Sequence, residues 1–401
     1  MTSEWHEVPL RELVGYISKG IAPSYAEEAS ESTIRVLNQK CNRNFRISYG
    51  DSRLHDTRKK KVPPERYVKP DDILINSTGA GTAGRIAQIE DVPSATTIDG
   101  HMILIRSNGK VTQKFLGYAL KAHQWEVLQL DEGSTGQTEL NRDRLLDEIM
   151  INYPVSLDEQ NAIVGTLESI DRKLIVNEQL NDNLEQQAQS YFQELFVDNA
   201  SPEWTTGTIS DLGTVVGGST PSKAKPEYYT ESGIAWITPK DLSINKSKFV
   251  SHGENDITEL GLKNSSAAIM PEGTVLFSSR APIGYIAIAA GEVTTNQGFK
   301  SVVPKPEIGT PFVYFFLKNT LPVIEGMASG STFKEVSGST MKNVPAVIPD
   351  AETLAKFSDF CAPIFAQQRI LEEQNQSLAT LRDNLLPKLM SGEIDVSAVQ
   401  L

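Results

Sequence analysis

The chain repeats itself once, and nothing else in it restricts the possible folds as strongly. Trp5, Glu7-Val8-Pro9-Leu10 and Leu13 return as Trp204, Gly207-Thr208-Ile209 and Leu212. Pro70-Asp71-Asp72-Ile73-Leu74-Ile75-Asn76-Ser77-Thr78 returns as Pro271-Glu272-Gly273-Thr274-Val275-Leu276-Phe277-Ser278-Ser279. Gly84-Arg85-Ile86-Ala87 returns as Gly284-Tyr285-Ile286-Ala287, Thr96-Thr97 as Thr294-Thr295, and Gly133-Ser134-Thr135 as Gly330-Ser331-Thr332. The order is kept, and the offset drifts only from 201 (Pro70 to Pro271) to 197 (Gly133 to Gly330). The 401 residues are therefore two similar halves rather than an arbitrary two-domain chain.

Each half opens with a mixed region, residues 1–156 and 201–350, in which short β-branched runs are bounded by Gly, Pro, Ser and Asn. Asp72–Ser77, Met102–Arg106, Thr274–Ser278 and Ser301–Val303 read as strands. A polar stretch with helical periodicity follows, residues 157–200 and 351–401. The first starts at Ser156-Leu157-Asp158-Glu159, a capping box that satisfies free amides at a helix start. Apolar residues then recur at Ile163, Leu167, Ile170, Leu174, Leu180, Leu184, Ala188, Tyr191 and Leu195. The second starts after Asp350, a good N-cap, and carries Leu354, Phe357, Cys361, Ile364, Leu371, Leu378, Leu381 and Leu385. Pro363 is expected to bend or divide it, and Pro387 and Gly392 to end it before residue 393. Spacings of three and four mark a coiled-coil seam. Stretches of about 40 and 35 residues reach roughly 50–60 Å at the helical rise. Neither has a wide apolar face, so the two are expected to pack on each other, antiparallel, and to stay out of a globular core. Asn177, Gln368 and Asn375 at or beside the seam would fix register. The expected class is α+β (mixed α/β), with two repeated globular domains separated by two long antiparallel helices in a pseudo-two-fold arrangement.

A net charge of −13, taken whole, opposes a polyanion partner such as DNA. Its distribution changes that reading. Residues 1–156 carry a net −1 and residues 201–350 a net −2, whereas the helical stretches 157–200 and 351–401 carry −7 and −3. The mixed domains are near neutral, so local clusters can give each a positive face. From Arg53 to Lys69 there are seven basic residues (Arg53, Arg58, Lys59, Lys60, Lys61, Arg66, Lys69) against Asp56 and Glu65, with Arg43 and Arg46 just before. In the second domain Lys223 and Lys225 lie in a Gly/Ser/Pro-rich loop, and Lys240, Lys246 and Lys248 follow Trp236. Lys and Arg displace phosphate counterions, and Arg, Asn, Gln, Ser and Thr can read base edges. A merely solvated loop is the alternative for any such cluster.

Motifs that look catalytic do not survive their context. Gly79-Ala80-Gly81-Thr82-Ala83-Gly84 fits a dinucleotide-binding pattern, but the strand-like Arg85-Ile86-Ala87-Gln88-Ile89 follows instead of a helix. A tight turn between two strands explains the glycines better. Asp171-Arg172-Lys173 has a nuclease-like spacing, yet it lies on the predicted helix, where a salt-bridging face is expected. The histidines His6, His55, His101, His123 and His252 have no metal-ligand spacing. Two cysteines, Cys41 and Cys361, exclude a disulfide framework and suggest a reducing cytoplasm. No run approaches the ~18 apolar residues of a membrane span, and no secretory leader is expected.

These residues together resemble the specificity (S) subunit of type I restriction–modification systems. In the first half the resemblance lies in Leu74-Ile75-Asn76-Ser77-Thr78-Gly79, Gly84-Arg85, Gly133-Ser134-Thr135-Gly136-Gln137-Thr138-Glu139-Leu140 and Leu157-Asp158-Glu159-Gln160. In the second it lies in Gly217-Gly218-Ser219-Thr220-Pro221-Ser222-Lys223, Trp236-Ile237-Thr238-Pro239-Lys240, Leu276-Phe277-Ser278-Ser279-Arg280-Ala281-Pro282, Thr294-Thr295-Asn296-Gln297-Gly298-Phe299 and Gly330-Ser331-Thr332-Phe333-Lys334. The ending from Leu381 to Ile394 is similar too. One departure is Ala351-Glu352-Thr353-Leu354, which stands where the first half has Asp158-Glu159-Gln160.

The resemblance implies a DNA-binding, non-catalytic subunit with two target recognition domains, each reading one half of a bipartite site. The helices, through Leu167, Leu174, Leu184, Leu371, Leu378 and Leu385, would hold two modification (methyltransferase) subunits, and restriction (motor-nuclease) subunits would join. No cofactor is implied on this chain; S-adenosylmethionine, ATP and magnesium belong to the partners. In the first domain Arg43, Arg46, Arg53, Arg58, Lys59, Lys60 and Lys61 would grip phosphates or enter the major groove, and Ser77, Thr78 and Arg85 would lie near the bases. Lys223, Lys240, Ser279, Arg280, Asn296, Gln297 and Lys334 are the counterparts in the second. A protein-binding adaptor and an enzyme with an unrecognised site stand as the rival classes.

Overall fold

A computed structural model describes residues 4–132, 139–330 and 334–396. The chain divides into two compact units, Met1–Leu174 with Leu378–Leu401, and Ile175–Ser377. Each unit thus takes one end of each long helix. The motif residues 133–138 and 331–333 lie outside the described residues.

In the first unit a sheet runs Val14–Lys19, Met102–Ser107, Ile73–Asn76, Ile86–Gln88, antiparallel throughout. A second sheet runs Thr96–Ile98, Thr33–Leu37, Arg53–Asp56, Tyr25–Ala26, with the first pair parallel. Side chains alternate across a strand, and the central strand Ile73–Asn76 is buried on both faces. Ile73 and Ile75 pack with Phe115 and Leu116 of the helix Gln113–Ala122, whereas Leu74 packs with Leu37, Met102 and Leu104 between the two sheets. The layers are therefore helix, sheet, sheet.

The second unit repeats the order. Its larger sheet runs Gly213–Gly217, Lys300–Pro304, Val275–Ser279, Ile283–Ala289, with Phe249–Val250 added at the edge. The smaller one runs Thr294–Thr295, Ile234–Ile237, Asn255–Ile257, Tyr229–Thr230, again with a parallel first pair. Val275 and Phe277 face the helix Thr310–Met327, and Leu276 faces the second sheet. A two-stranded ribbon closes each unit: Trp5–Pro9 with Met150–Pro154, and Thr205–Thr208 with Pro345–Ile348. The four expected strands are all present, and the repeat seen in the residues is a repeat of topology.

The glycine-rich run is the expected turn. It links the antiparallel strands Ile73–Asn76 and Ile86–Gln88, and Gly79, Gly81 and Gly84 all have positive φ. At Gly84 a Cβ would also stand 2.9 Å from the Val127 carbonyl oxygen, so only glycine fits.

The long helices are Leu157–Gln193, extended by a π-turn over Glu194–Asp198, and Ala351–Met390. Glu159 N–H donates to Ser156 Oγ at 3.4 Å, and Thr353 N–H to Asp350 Oδ1 at 2.9 Å, as the caps predicted. Pro363 does not divide the second helix, which is continuous to Met390. Nor do the helices stay out of the globular cores. Ile163, Val164, Leu167, Leu386 and Leu389 belong to the core of the first unit, and Ala188, Phe192, Leu354, Phe357 and Cys361 to that of the second. Their narrow apolar faces suffice because each helix end is covered by a sheet–helix layer as well as by its partner helix. Among the described residues no helix is long and apolar enough to cross a membrane.

Candidate nucleic-acid interface

In each unit the ends of the central strands and one connecting loop form a rim. In the second unit Ser279 ends its strand with its N–H donating to the Gly298 carbonyl at 2.7 Å. The loop is shaped by Asn296, whose Oδ1 accepts from Gly298 N–H at 2.8 Å. Gly218 passes so close that a Cβ there would stand 1.9 Å from the Asn296 carbonyl. Beyond it Thr220 donates to the Gln297 side chain. Arg280 bridges Glu335 across the rim, with its guanidinium 3.6 Å from the carboxylate, and Lys300 lies 3.7 Å from the other oxygen. The structure thus brings Arg280, Asn296 and Gln297 together, with exposed Lys334 beside Glu335.

The first unit has the same rim in other residues. Ser77 N–H donates to the His101 carbonyl at 2.8 Å, and a Cβ at Gly20 would stand 2.1 Å from the Asp99 carbonyl. Thr78 bridges Glu139 and places its hydroxyl 2.7 Å from His101 Nδ1. Lys19 pairs with Glu139. Arg85 is exposed on the glycine loop, where it donates to the Gly81 carbonyl at 3.2 Å. Lys19, Glu139, Lys300 and Glu335 also lie on these rims and were not expected from the sequence. The signal was the acid that follows each repeated Gly-Ser-Thr run, Glu139 and Glu335.

The basic stretch of the first unit lies on the second sheet and the loop after it. Arg53 stacks over the Tyr25 ring at 3.4 Å. Arg58 clamps Asp56 through two hydrogen bonds of 3.2 Å, which holds the Asp56 carboxyl below the ordinary carboxylate range. Lys60 Nζ donates to the Ala22 carbonyl at 2.9 Å. Lys59 and Lys61 are exposed and make no hydrogen bond or ion pair among the described residues. Arg43 and Arg46 are cross-strand partners on a hairpin whose turn, Asn44-Phe45, has positive φ at both residues, the two-residue turn that matches strand twist. Buried Asn42 ties this hairpin to the glycine loop through Asn76 Oδ1 (3.2 Å) and the Arg85 carbonyl (2.8 Å). In the second unit Lys223 is exposed in its loop, and Lys240 pairs with Glu254 at 2.5 Å.

Three expected contacts are corrected by burial. Ser77 and Ser279 are fully buried, with hydroxyls donating to the Gly100 and Gly298 carbonyls, so they shape the rim from below and cannot touch a ligand. Lys248, expected in a basic surface cluster, is also buried. Its ammonium lies 2.6 Å from Glu185 and 3.8 Å from the Phe365 ring centroid.

That contact belongs to a pair of charged anchors on the first long helix. In the first unit Asp171 accepts from Tyr118 Oη (2.8 Å), Lys121 Nζ (3.1 Å) and Arg382 (3.0 Å). In the second Glu185 accepts from Tyr314 Oη (3.2 Å), Lys318 and Lys248. Burial alone would raise both carboxyl pKa values, but the surrounding cations outweigh it and hold Asp171 and Glu185 low. The Asp171 run is thus the salt-bridging face that was expected, and not a nuclease site.

The seam between the helices is antiparallel in each unit. Asp171 meets Arg382 in the first; Asn177 Nδ2 donates to Asn375 Oδ1 at 2.9 Å, and Gln368 Nε2 to the Asn181 carbonyl at 3.2 Å, in the second. Two predicted seam residues are wrong. Leu180 and Leu381 are 42% exposed, and the polar neighbours Asn181 and Arg382 take their places. Leu167, Leu174 and Leu371 are buried within the chain itself, so a partner lying on the helices would meet other side chains.

Comparison with known proteins gives one family. The model of the type I restriction modification DNA specificity domain matches residues 2–186 and again residues 202–381. The specificity subunit of type I restriction enzyme MjaIX from Methanocaldococcus jannaschii is 39% identical over 191 residues, 45% of this chain and 44% of that protein. The HindI specificity subunit of Haemophilus influenzae is 27% identical over 194 residues, 48% of this chain and 42% of that protein. The chain thus spans somewhat under half the length of these curated relatives. The crystal structure of a type I restriction–modification S subunit from M. genitalium superposes with a TM-score of 0.60 at 17% identity, covering 97% of this chain and 96% of that one. That likeness is one of fold.

Proposed function

The chain belongs to the type I restriction–modification DNA specificity family, and from that premise we propose that it is the sequence-reading subunit of such a complex. Each mixed domain reads one part of a bipartite site on double-stranded DNA. The helical stretches set the gap and hold two modification (methyltransferase) subunits, which restriction (motor-nuclease) subunits join. The chain carries out no reaction itself. S-adenosylmethionine, ATP and magnesium are used on the partners, in the cytoplasm.

The observation that carries this reading is the repeat of topology, with one domain anchored at Asp171 and the other at Glu185 of the same helix. Two equivalent readers on one helix suit a target in two parts. Contacts to phosphates would come from Arg43, Arg46, Arg53, Lys59 and Lys61, with Arg58 and Lys60 partly committed to Asp56 and Ala22. Base edges would be met by Thr78 and Arg85 in the first domain. Arg280, Asn296 and Gln297 would do so in the second, with Lys223, Lys240 and Lys334 nearby.

Co-expression with a methyltransferase subunit tests the proposal. The two should purify together, and host DNA should gain methylated sites with two specific parts and a fixed gap. Methylation that is the same without this chain would leave the adaptor reading; turnover by the chain alone would leave the enzyme reading.

A further inference from the structure

We propose that Glu139 and Glu335 are specificity-setting residues: each neutralises a rim cation and repels phosphate, so that binding depends on correct base contacts. This inference rests on the DNA-reading function proposed above.

Glu139 and Lys19 are 56% and 44% exposed in their side chains, and Glu335 and Arg280 are 39% and 37% exposed. Exposed ion pairs contribute little to stability, and the more buried Lys300 is only loosely held, 3.7 Å from Glu335, so stability gives little reason for such a pair in each repeat. Yet both acids occupy one place in the topology. Glu139 bridges Thr78, just past the strand Ile73–Asn76; Glu335 bridges Arg280, just past the strand Val275–Ser279. Each has a cation from the same sheet, Lys19 at the end of the edge strand Val14–Lys19, two strands from Ile73–Asn76, and Lys300 at the start of Lys300–Pro304, the strand beside Val275–Ser279. Glu335 is held further by Ser329, with backbone hydrogen bonds of 2.8 and 3.1 Å between the two residues. The acids sit on a fixed backbone at the rim where the reading residues converge.

A carboxylate there has two electrostatic effects. It holds Lys19, Arg280 and Lys300 to a protein partner, so fewer counterions are displaced from DNA by these cations. It also repels any phosphate that comes near. Both effects count in full against a duplex that offers the rim only phosphates. At the right sequence the carboxylate instead accepts from a base-edge donor, as Glu does from the cytosine amino group, so its cost is relieved there and nowhere else.

The test uses the chain assembled with its methyltransferase subunit and two duplexes: the sequence it methylates, and the same duplex with one half scrambled. Glu335→Gln keeps the side chain's shape and removes its charge. Binding of the scrambled duplex should tighten roughly three- to tenfold, binding of the methylated sequence should change less, and the salt slope should steepen by about one. Glu139→Gln should act the same way when the other half is scrambled. Equal changes on both duplexes, or weaker binding to both, overturns the proposal. Arg280→Ala is the control for the underlying reading. If it weakens binding while Glu335→Gln leaves discrimination intact, the filter fails and DNA reading stands. If Arg280→Ala, Lys300→Ala and Thr78→Ala all leave binding unchanged, the rims do not meet DNA and both proposals fall.

Discussion

The two units share a topology and differ in what fills it. Around Asp171 the first unit places Tyr118, Lys121 and Arg382, in a core whose side chains are mostly aliphatic. Around Glu185 the second places Tyr314, Lys318 and Lys248, beside a cluster of Phe192, Phe312, Phe315 and Phe357. A helix carboxylate with a lysine, a tyrosine hydroxyl and one further cation is kept in both, while the packing around it changes. The proposed reading surfaces diverge more. The first unit carries the stretch from Arg53 to Lys69, and the second has no equal. The difference teaches that docking to the helices is the common requirement, and that the proposed recognition faces vary around it.

Removing a buried cation should break the likeness most. Lys248→Ala leaves Glu185 with a weaker set of partners and is expected to cost about 3–5 kcal/mol in urea unfolding of the second unit. Lys248→Met with Glu185→Gln should recover much of that, because the one cation left without its carboxylate, Lys318, is 35% exposed and can be solvated. A loss below about 1 kcal/mol for Lys248→Ala would show that the anchor is not the shared element.

The next effect separates the units by their proposed DNA contacts. Lys59→Ala with Lys60→Ala and Lys61→Ala should weaken DNA binding by the assembled complex roughly tenfold and flatten its salt slope by about two, since Lys60 is already engaged by Ala22. Equal weakening on all sequences marks phosphate contact; an unchanged slope removes these residues from the interface.

Acid sharpens the comparison of the anchors. The folded pKa values of Asp171 and Glu185 are held down, so their stabilisation is complete above the ordinary carboxylate values near ~4 and is lost as pH falls through the lower folded values. The stability difference between the natural chain and Asp171→Asn should therefore shrink on acidification. Glu372 has the opposite sign. Burial raises its pKa despite hydrogen bonds from the Lys248 and Phe249 amides, so its ionised form costs stability near neutrality. The gap between the natural chain and Glu185→Gln should thus close within a background in which Glu372 protonation works the other way. Gaps that widen on acidification would contradict this account.

The smallest effect lies at the seam. Asn177 Oδ1 is buried with no hydrogen-bond partner among the described residues, so Asn177→Leu with Asn375→Leu should be neutral or stabilising by about 1 kcal/mol. What it should lose is unique register, seen as a second oligomeric species on size exclusion. A loss of several kcal/mol would show instead that the amide pair is needed for stability.

Much of this was legible because it is local. Strand runs, glycine turns and helix caps depend on a few neighbouring residues, and the repeat exposes the topology twice. What escaped depends on burial, which is not local. Ser77 and Ser279 look like loop residues but lie under the rim, and Lys248 looks like one more surface lysine. At the seam the search for leucine chose Leu180 and Leu381, each one residue from the polar side chain that belongs there. Strict three–four stepping from Leu354 through Phe357, Cys361, Ile364, Gln368, Leu371, Asn375 and Leu378 reaches Arg382, so the period was present where the residue type misled.

The central claim is that each domain reads its own half of one DNA site. It is tested most directly by mapping methylated sites in cells carrying this chain and its methyltransferase subunit, with the natural second rim and with Arg280→Ala, Asn296→Ala and Gln297→Ala together. The account predicts a two-part site in which only one part relaxes or changes, while the other part and the gap are kept. An unchanged site, or one in which both parts change, would contradict it.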